Sequence, residues 1–252
     1  MKKNFKLKTV LFDRISAGLS LVAVLIAIAS PVFAETIQPK VTEVTIVGSL
    51  HKYHRDLKHY SFEDLKKLIE SKKPEVICIE VMPENYKGTA TVKAPYEYRE
   101  AIMPFLLSTK AEIKPIDWVN DDWNEFLKEQ KALSESPKTS GLFNAIVNPL
   151  ELLVKHANDK SVAKLDYAFY NSDLMDELIE AQYEVLVNAF PGSKMVQIAD
   201  KRNENIANLL IEAVKRNKGK RILVLIGMEH KFALKKRLRV TPGVKYVNII
   251  DF

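Results

Sequence analysis

Two short apolar runs, VTEVTIV at residues 41–47 and RILVLI at residues 221–226, lie near opposite ends of the chain, and each is followed at once by Gly-x-x-His. The first copy is GSLH, with Gly48 and His51; the second is GMEH, with Gly227 and His230. Short β-branched runs stopped by glycine read as strands. When such strands alternate with amphipathic helices few folds remain open, because buried strands joined by helices pair in parallel and are covered on both faces.

The segments between the runs carry the helical signal. SFEDLKKLIESKK starts with Ser61 and Asp64 at capping-box spacing, Asp standing in for Glu, and repeats Leu65, Leu68 and Ile69 along one face. Pro74 ends this helix, and EVICIEV is the next strand, apolar almost throughout apart from Glu80. YEYREAIMPFLLST reads as helix despite Pro104, and AEIKPIDW reads as a short strand ending at Asp117 and Trp118. No strand signal appears from Asn120 to Phe190. Apolar residues at three and four spacing predict a helical insert over about residues 120–190. A long helix through KMVQIADKRNENIANLLIEAVKRNK, a helix after GMEH to about Leu238 and a last strand VKYVNIIDF complete the pattern. The expected fold class is α/β: a mostly parallel central sheet flanked by helices, with a helical insert.

The first 34 residues read differently. Lys2, Lys3, Lys6, Lys8 and Arg14 stand against the single acid Asp13, the apolar run AGLSLVAVLIAIAS follows, and PVFA ends on small residues at Val32 and Ala34. A basic start, a short apolar run and an A-x-A-like end make a secretory signal peptide. The apolar run is shorter than the ~20 residues of a spanning helix, so no stable membrane anchor is expected after cleavage. The expectation is an exported protein, periplasmic or secreted, whose residues 35–252 form a single domain. The formal charge of +6 falls to +2 once five bases and one acid leave with the signal (6 − 4). That small excess gives no reason to expect a nucleic-acid partner. The basic cluster KFALKKRLR interleaves Phe232, Ala233, Leu234 and Leu238 at helical spacing and reads as the solvated face of a helix. The one cysteine, Cys78, sits inside an apolar strand, far from the cleavage site, where it reads as a small buried hydrophobe.

Ligands of parallel α/β sheets gather beyond the carboxyl ends of the strands, and His51, Glu80 and His230 each lie at such an end. Each glycine is expected to let the chain turn sharply there. Two imidazoles and a carboxylate can ligate a divalent transition metal, leave positions open for water and lower the pKa of that water, which is hydrolase chemistry. Mixed nitrogen and oxygen ligands do not choose among manganese, cobalt, zinc and iron. Glu80 closes a run so apolar that it needs a cation, a metal or a proton beside it. Arg202 either stabilises a developing oxyanion or pairs on the surface with Asp200 or Glu204. His54, three residues after His51, is either an added ligand or base or a solvent-facing residue.

VTIVGSLH, ICIEVMPENY, ADKRNENIA and ILVLIGMEHKFALKKRL, in that order, resemble the TraB, PrgY, GumN and Tiki superfamily, related to the erythromycin esterase-like and ChaN-like proteins. The resemblance covers the two ends of the mature chain and says little about the helical middle. It implies functional histidines at His51 and His230, a glutamate at Glu80 and a polar helix position at Arg202 or Asn203. In place of the frequent Glu-x-Asp this chain has Glu80-Val81-Met82. The implied activity is metal-dependent hydrolysis of a peptide or ester bond in a peptide or small-molecule substrate. Two alternatives follow from the same kinship. One is a ChaN-like haem- or iron-binding protein without turnover, with histidine or tyrosine as axial ligand. The other is a metal-independent, erythromycin esterase-like hydrolase in which a histidine is the general base and Glu80 orients it.

Overall fold

A computed structural model describes residues 40–88, 94–156 and 165–250, so the signal sequence read in residues 1–34 lies outside the described residues. Five short runs become strands: β1 (Thr42–Ser49), β2 (Val76–Ile79), β3 (Glu112–Pro115), β4 (Arg221–Gly227) and β5 (Val244–Tyr246). They form one sheet in the order β3-β2-β4-β1-β5, and every pairing is parallel. The α/β class is therefore as expected, with a sheet that is parallel throughout. Two details differ from the sequence expectation. β1 runs on through Gly48 and Ser49, and the last strand stops at Tyr246, short of the apolar Ile249 and Ile250.

Alternation along the strands places one apolar row on each face of the sheet. Val44, Ile46, Cys78, Ile222 and Val224 pack against the long helix α8 (Lys194–Arg216) and α9 (Met228–Arg239). On the opposite face Val47, Ile77, Ile79, Leu223 and Leu225 meet α1 (Phe62–Ser71) and the chain around α2 (Met103–Ser108). Full burial of each such side chain contributes about 1.5–3 kcal/mol, which is why strands this short hold. The start of α1 has both halves of its capping box, formed by Ser61 and Asp64. A π-helical turn, Tyr98–Ile102, runs without a break into α2, and Pro104, which has no N–H to donate, comes just after that turn.

The insert between β3 and β4 is helical in every described element: α3 (Trp123–Glu135), α4 (Ser140–Val147), α5 (Pro149–His156), α6 (Tyr167–Tyr170) and α7 (Asp173–Ala189). Among the described residues no helix is long and apolar enough to cross a membrane.

One expectation about α9 fails. Lys236, Arg237 and Arg239 are exposed, but Lys231 and Lys235 are buried rather than solvated. Lys231 Nζ donates to Asp176 (2.9 Å) and to the Asn171 carbonyl (2.7 Å), and Lys235 Nζ donates to Asp176 (2.8 Å) and to Asp173. The acids come from α7, which covers the face of α9 that sequence periodicity left to solvent.

Candidate functional site

Because the strands are parallel, their carboxyl ends share one edge, and the polar residues following β1, β2, β3 and β4 are drawn together there. Register brings the two Gly-x-x-His motifs side by side, with Gly48 opposite Ile226 and Ser49 opposite Gly227. Neither glycine has the positive φ that a sharp left-handed turn demands; in the first motif that conformation falls on His51, at φ 51°. The glycines instead make room. A Cβ on Gly48 would stand 3.1 Å from the Cβ of Met228 in the second motif, and one on Gly227 would stand 2.6 Å from Nε2 of His51 in the first. Each motif keeps a glycine because the other motif packs against it.

Glu80 leaves the end of β2 almost completely buried, at 2 % exposure. Its Oε1 accepts from Arg202 Nη2 at 2.8 Å and its Oε2 from the Gly227 N–H at 2.6 Å. Burial pushes this carboxyl up, and the charges of His51 and Arg202 oppose the rise. Arg202, on α8, also donates through Nε to Asp117 at 3.0 Å, beyond the end of β3. Its partners are thus two strand-end acids, and neither Asp200 nor Glu204. Met82 offers no second acid here, and the other carboxylate on Arg202 is Asp117, beyond the neighbouring strand.

Both motif histidines are fixed through Nδ1. His51 Nδ1 lies 2.8 Å from Oε1 of the fully buried Glu97, and His230 Nδ1 lies 2.5 Å from Asn203 Oδ1. Asn203 is the residue next to Arg202, so both of these helix positions reach the same sheet edge. The two Nε2 atoms turn towards Glu229, whose Oε1 is 3.3 Å from that of His51 and 4.0 Å from that of His230. His230 Nε2 is also 3.7 Å from Glu80 and is buried without a hydrogen-bond partner among the described residues.

Their electrostatics differ. At His51 burial lowers the pKa, but the surrounding carboxylates of Glu80, Glu229 and Glu97 outweigh it and hold the imidazole well above the ordinary 6.5. At His230 burial, reinforced by the Arg202 charge, lowers it to about 4. These opposite shifts favour the charged form at His51 and the neutral form at His230, where Nδ1 facing the Asn203 oxygen leaves Nε2 as the lone-pair nitrogen. Environments that push a pair of titratable groups apart assign the roles of acid and base.

His54 is placed otherwise than the sequence suggested. It is fully buried, not solvent-facing. Its Nε2 accepts from the Leu50 N–H at 2.9 Å, and its Nδ1 donates to the Tyr60 carbonyl at 2.7 Å. Burial lowers its pKa to about 4. With both nitrogens spent on backbone, His54 shapes the turn that carries His51 and has none left for a metal or for water.

Whether His51, Glu80 and His230 fit a divalent metal turns on Glu80. Its oxygens are already occupied by Arg202 and Gly227, and the guanidinium is itself a cation at the place a metal would share. Among the described residues no group of three or more His, Cys, Asp or Glu side chains is arranged to hold a metal ion. As they stand, these three residues do not make a metal cage.

A cleft of about 420 Å³ opens beside the pair, and Arg202, Asn203, Glu229 and His230 contribute to its lining. Sequence reasoning missed Glu97 and Glu229 as site residues. Glu229 lies inside the GMEH motif and was open to inspection; Glu97 lies in a segment patterned as helix, with nothing to mark it. Comparison of the chain with protein-family models, with curated proteins and with solved structures finds no match.

Proposed function

We propose that the chain is a hydrolase of the TraB and Tiki kind that activates water between the two Gly-x-x-His histidines. The observation that carries this reading is His230 Nε2, a buried lone pair left without a hydrogen-bond partner at the edge of a ligand-sized cleft. In this mechanism His230 takes a proton from the attacking water at Nε2, and its Nδ1–H stays on Asn203, which fixes the tautomer. His51, kept protonated by its ring of carboxylates, returns a proton to the leaving group from Nε2. Arg202 supplies the fixed positive charge that the developing oxyanion requires. Glu80 is a positioning residue: it holds Arg202 and, through the Gly227 N–H, the turn that carries His230. The tyrosines near the sheet edge do not favour a haem protein, since Tyr60 and Tyr98 donate their hydroxyls to the carbonyls of Gly48 and Leu225.

The test is hydrolysis of activated esters and of small peptides by His230→Ala and His51→Ala. Each is expected to abolish turnover, and the double variant to be hardly worse, because residues that act as one unit are non-additive. Retained activity in His230→Ala overturns the assignment.

One observation favours a second reading, in which His51 and His230 would hold a divalent metal that would supply the charge to acidify water. Each histidine holds an acceptor at Nδ1 and directs Nε2 inward, as metal-bound histidines do. Dialysis against a chelator separates the readings: hydrolysis is expected to survive, and loss restored by manganese, cobalt, zinc or iron would return the site to metal chemistry.

A further inference from the structure

The helical insert builds the wall of the cleft, and its composition points to what the cleft receives. Trp123 and Phe126 of α3 stack with ring centroids 4.3 Å apart and planes 5° apart, and the Arg202 guanidinium lies 5.2 Å from the Trp123 ring. Phe143, Tyr183, Leu186 and Met195 continue the surface. Away from Arg202, Asn203, Glu229 and His230 the polar groups of the lining, among the described residues, are the Gln130 amide, the Trp123 indole N–H and the Tyr183 hydroxyl, which is turned to Asp200 at 2.6 Å.

The same side chains form a small hydrophobic cluster that is not closed. Phe143, Met195 and Val196 are buried in it, whereas Phe126, Leu133, Val147, Tyr183, Leu186 and Phe190 are only partly so. The two clusters on the sheet faces bury most of their members. An apolar cluster that leaves a cavity at its centre lacks contacts that another apolar group can restore.

We propose that this cleft takes the apolar acyl chain of an uncharged ester or amide, with the scissile carbonyl held at the Arg202 and His230 end. This rests on the hydrolase reading of that end. A charged or strongly polar substituent is disfavoured along the walls, because a polar group buried there without a partner costs several kcal/mol. The volume sets the scale. At about 30 Å³ for each water-sized group, a cleft of this volume holds on the order of a dozen non-hydrogen atoms, which suits a medium-length chain together with its carbonyl.

The test compares nitrophenyl acetate with nitrophenyl octanoate, and adds calorimetric binding of octanamide. In the wild-type protein kcat/KM for the octanoate is expected to exceed that for the acetate by at least about tenfold, given ~0.8 kcal/mol for each buried methylene. Ala199→Phe and Val147→Phe, made separately at lining positions outside the catalytic residues, are expected to remove that preference and octanamide binding while leaving acetate hydrolysis unchanged. Two variants on different helices guard against one that fails to fold. A wild-type protein with no chain-length preference and no octanamide binding, or a preference that both variants retain, overturns the inference and leaves the hydrolase reading standing. Octanamide binding that both variants abolish, with neither ester cleaved, supports the acyl-chain cleft and overturns the hydrolase reading.

Discussion

An alanine at Gly227 would set its methyl carbon 2.6 Å from His51 Nε2 and 2.7 Å from Glu229 Oε2, and neither distance is tolerable. The imidazole must move. A displacement of about 1 Å in a catalytic group costs on the order of 100-fold in rate, so Gly227→Ala is expected to lower kcat/KM by about that factor while the protein stays folded. Ester-hydrolysis kinetics beside a denaturation curve checks it. Gly48→Ala meets Met228 Cβ at a looser 3.1 Å and is expected to do less harm. A second residue-scale prediction concerns His54. Its folded pKa of about 4 lies below the ordinary 6.5, so the stability it contributes is complete above about 6.5 and is lost as pH falls towards 4. The full loss is of the order of 3 kcal/mol. His230 titrates over the same range, so the contribution of His54 is the difference between wild type and His54→Gln in denaturant midpoints measured across that window. If both proteins lose stability in parallel, His54 does not carry the effect. At this scale the sequence disclosed which residues meet but not how. Periodicity and a repeated motif reveal a glycine, while the atom that excludes its methyl group, His51 Nε2 against Gly227, belongs to a distant segment of the chain.

Helix α9 shows where helical periodicity misleads. A lysine one helical turn from another lysine in a basic run, as Lys231 is from Lys235, reads as surface, and nothing local reveals that a second helix will bury it. Asp176 of α7 receives both Lys231 and Lys235, and Lys231 follows His230 directly, so this ion cluster docks the insert onto the second motif. The first motif is tied to the same corner, since the Gly48 N–H donates to Asn171 Oδ1 at 2.7 Å and Tyr60, which holds the Gly48 carbonyl, accepts from Asn171 Nδ2. Asp176→Asn leaves two buried ammonium groups facing a neutral amide and is expected to destabilise the protein by about 3–5 kcal/mol, measured by urea unfolding. A change under about 1 kcal/mol would mean that Asp173 alone suffices for the pair. The capping box of α1 and the boundaries of the long helix α8 were legible because their signals are local. The docking of α7 was not, because charge pairing across an insert leaves no period in the sequence.

Across the whole molecule, the apolar runs and the intervening helices were sufficient to predict a parallel sheet with an insert, and the structure adds the strand order. The export expectation is tested on protein from the native host: N-terminal sequencing is expected to begin at Glu35, and an intact Met1 in the membrane fraction would overturn it. The strand order has a further consequence. β1 lies between β4 and β5, so both of its neighbours come from the last stretch of the chain. Until β4 and β5 have been made, β1 has no partner on either side among the described strands, and the pairing that joins the two motifs must wait for them. Long-range parallel pairing of this kind is slow, because the closure entropy is lost before the contacts reward it. A chain truncated after Arg216 is expected to show no cooperative unfolding transition, and the nascent polypeptide to stay open and protease-sensitive until β4 and β5 have left the ribosome.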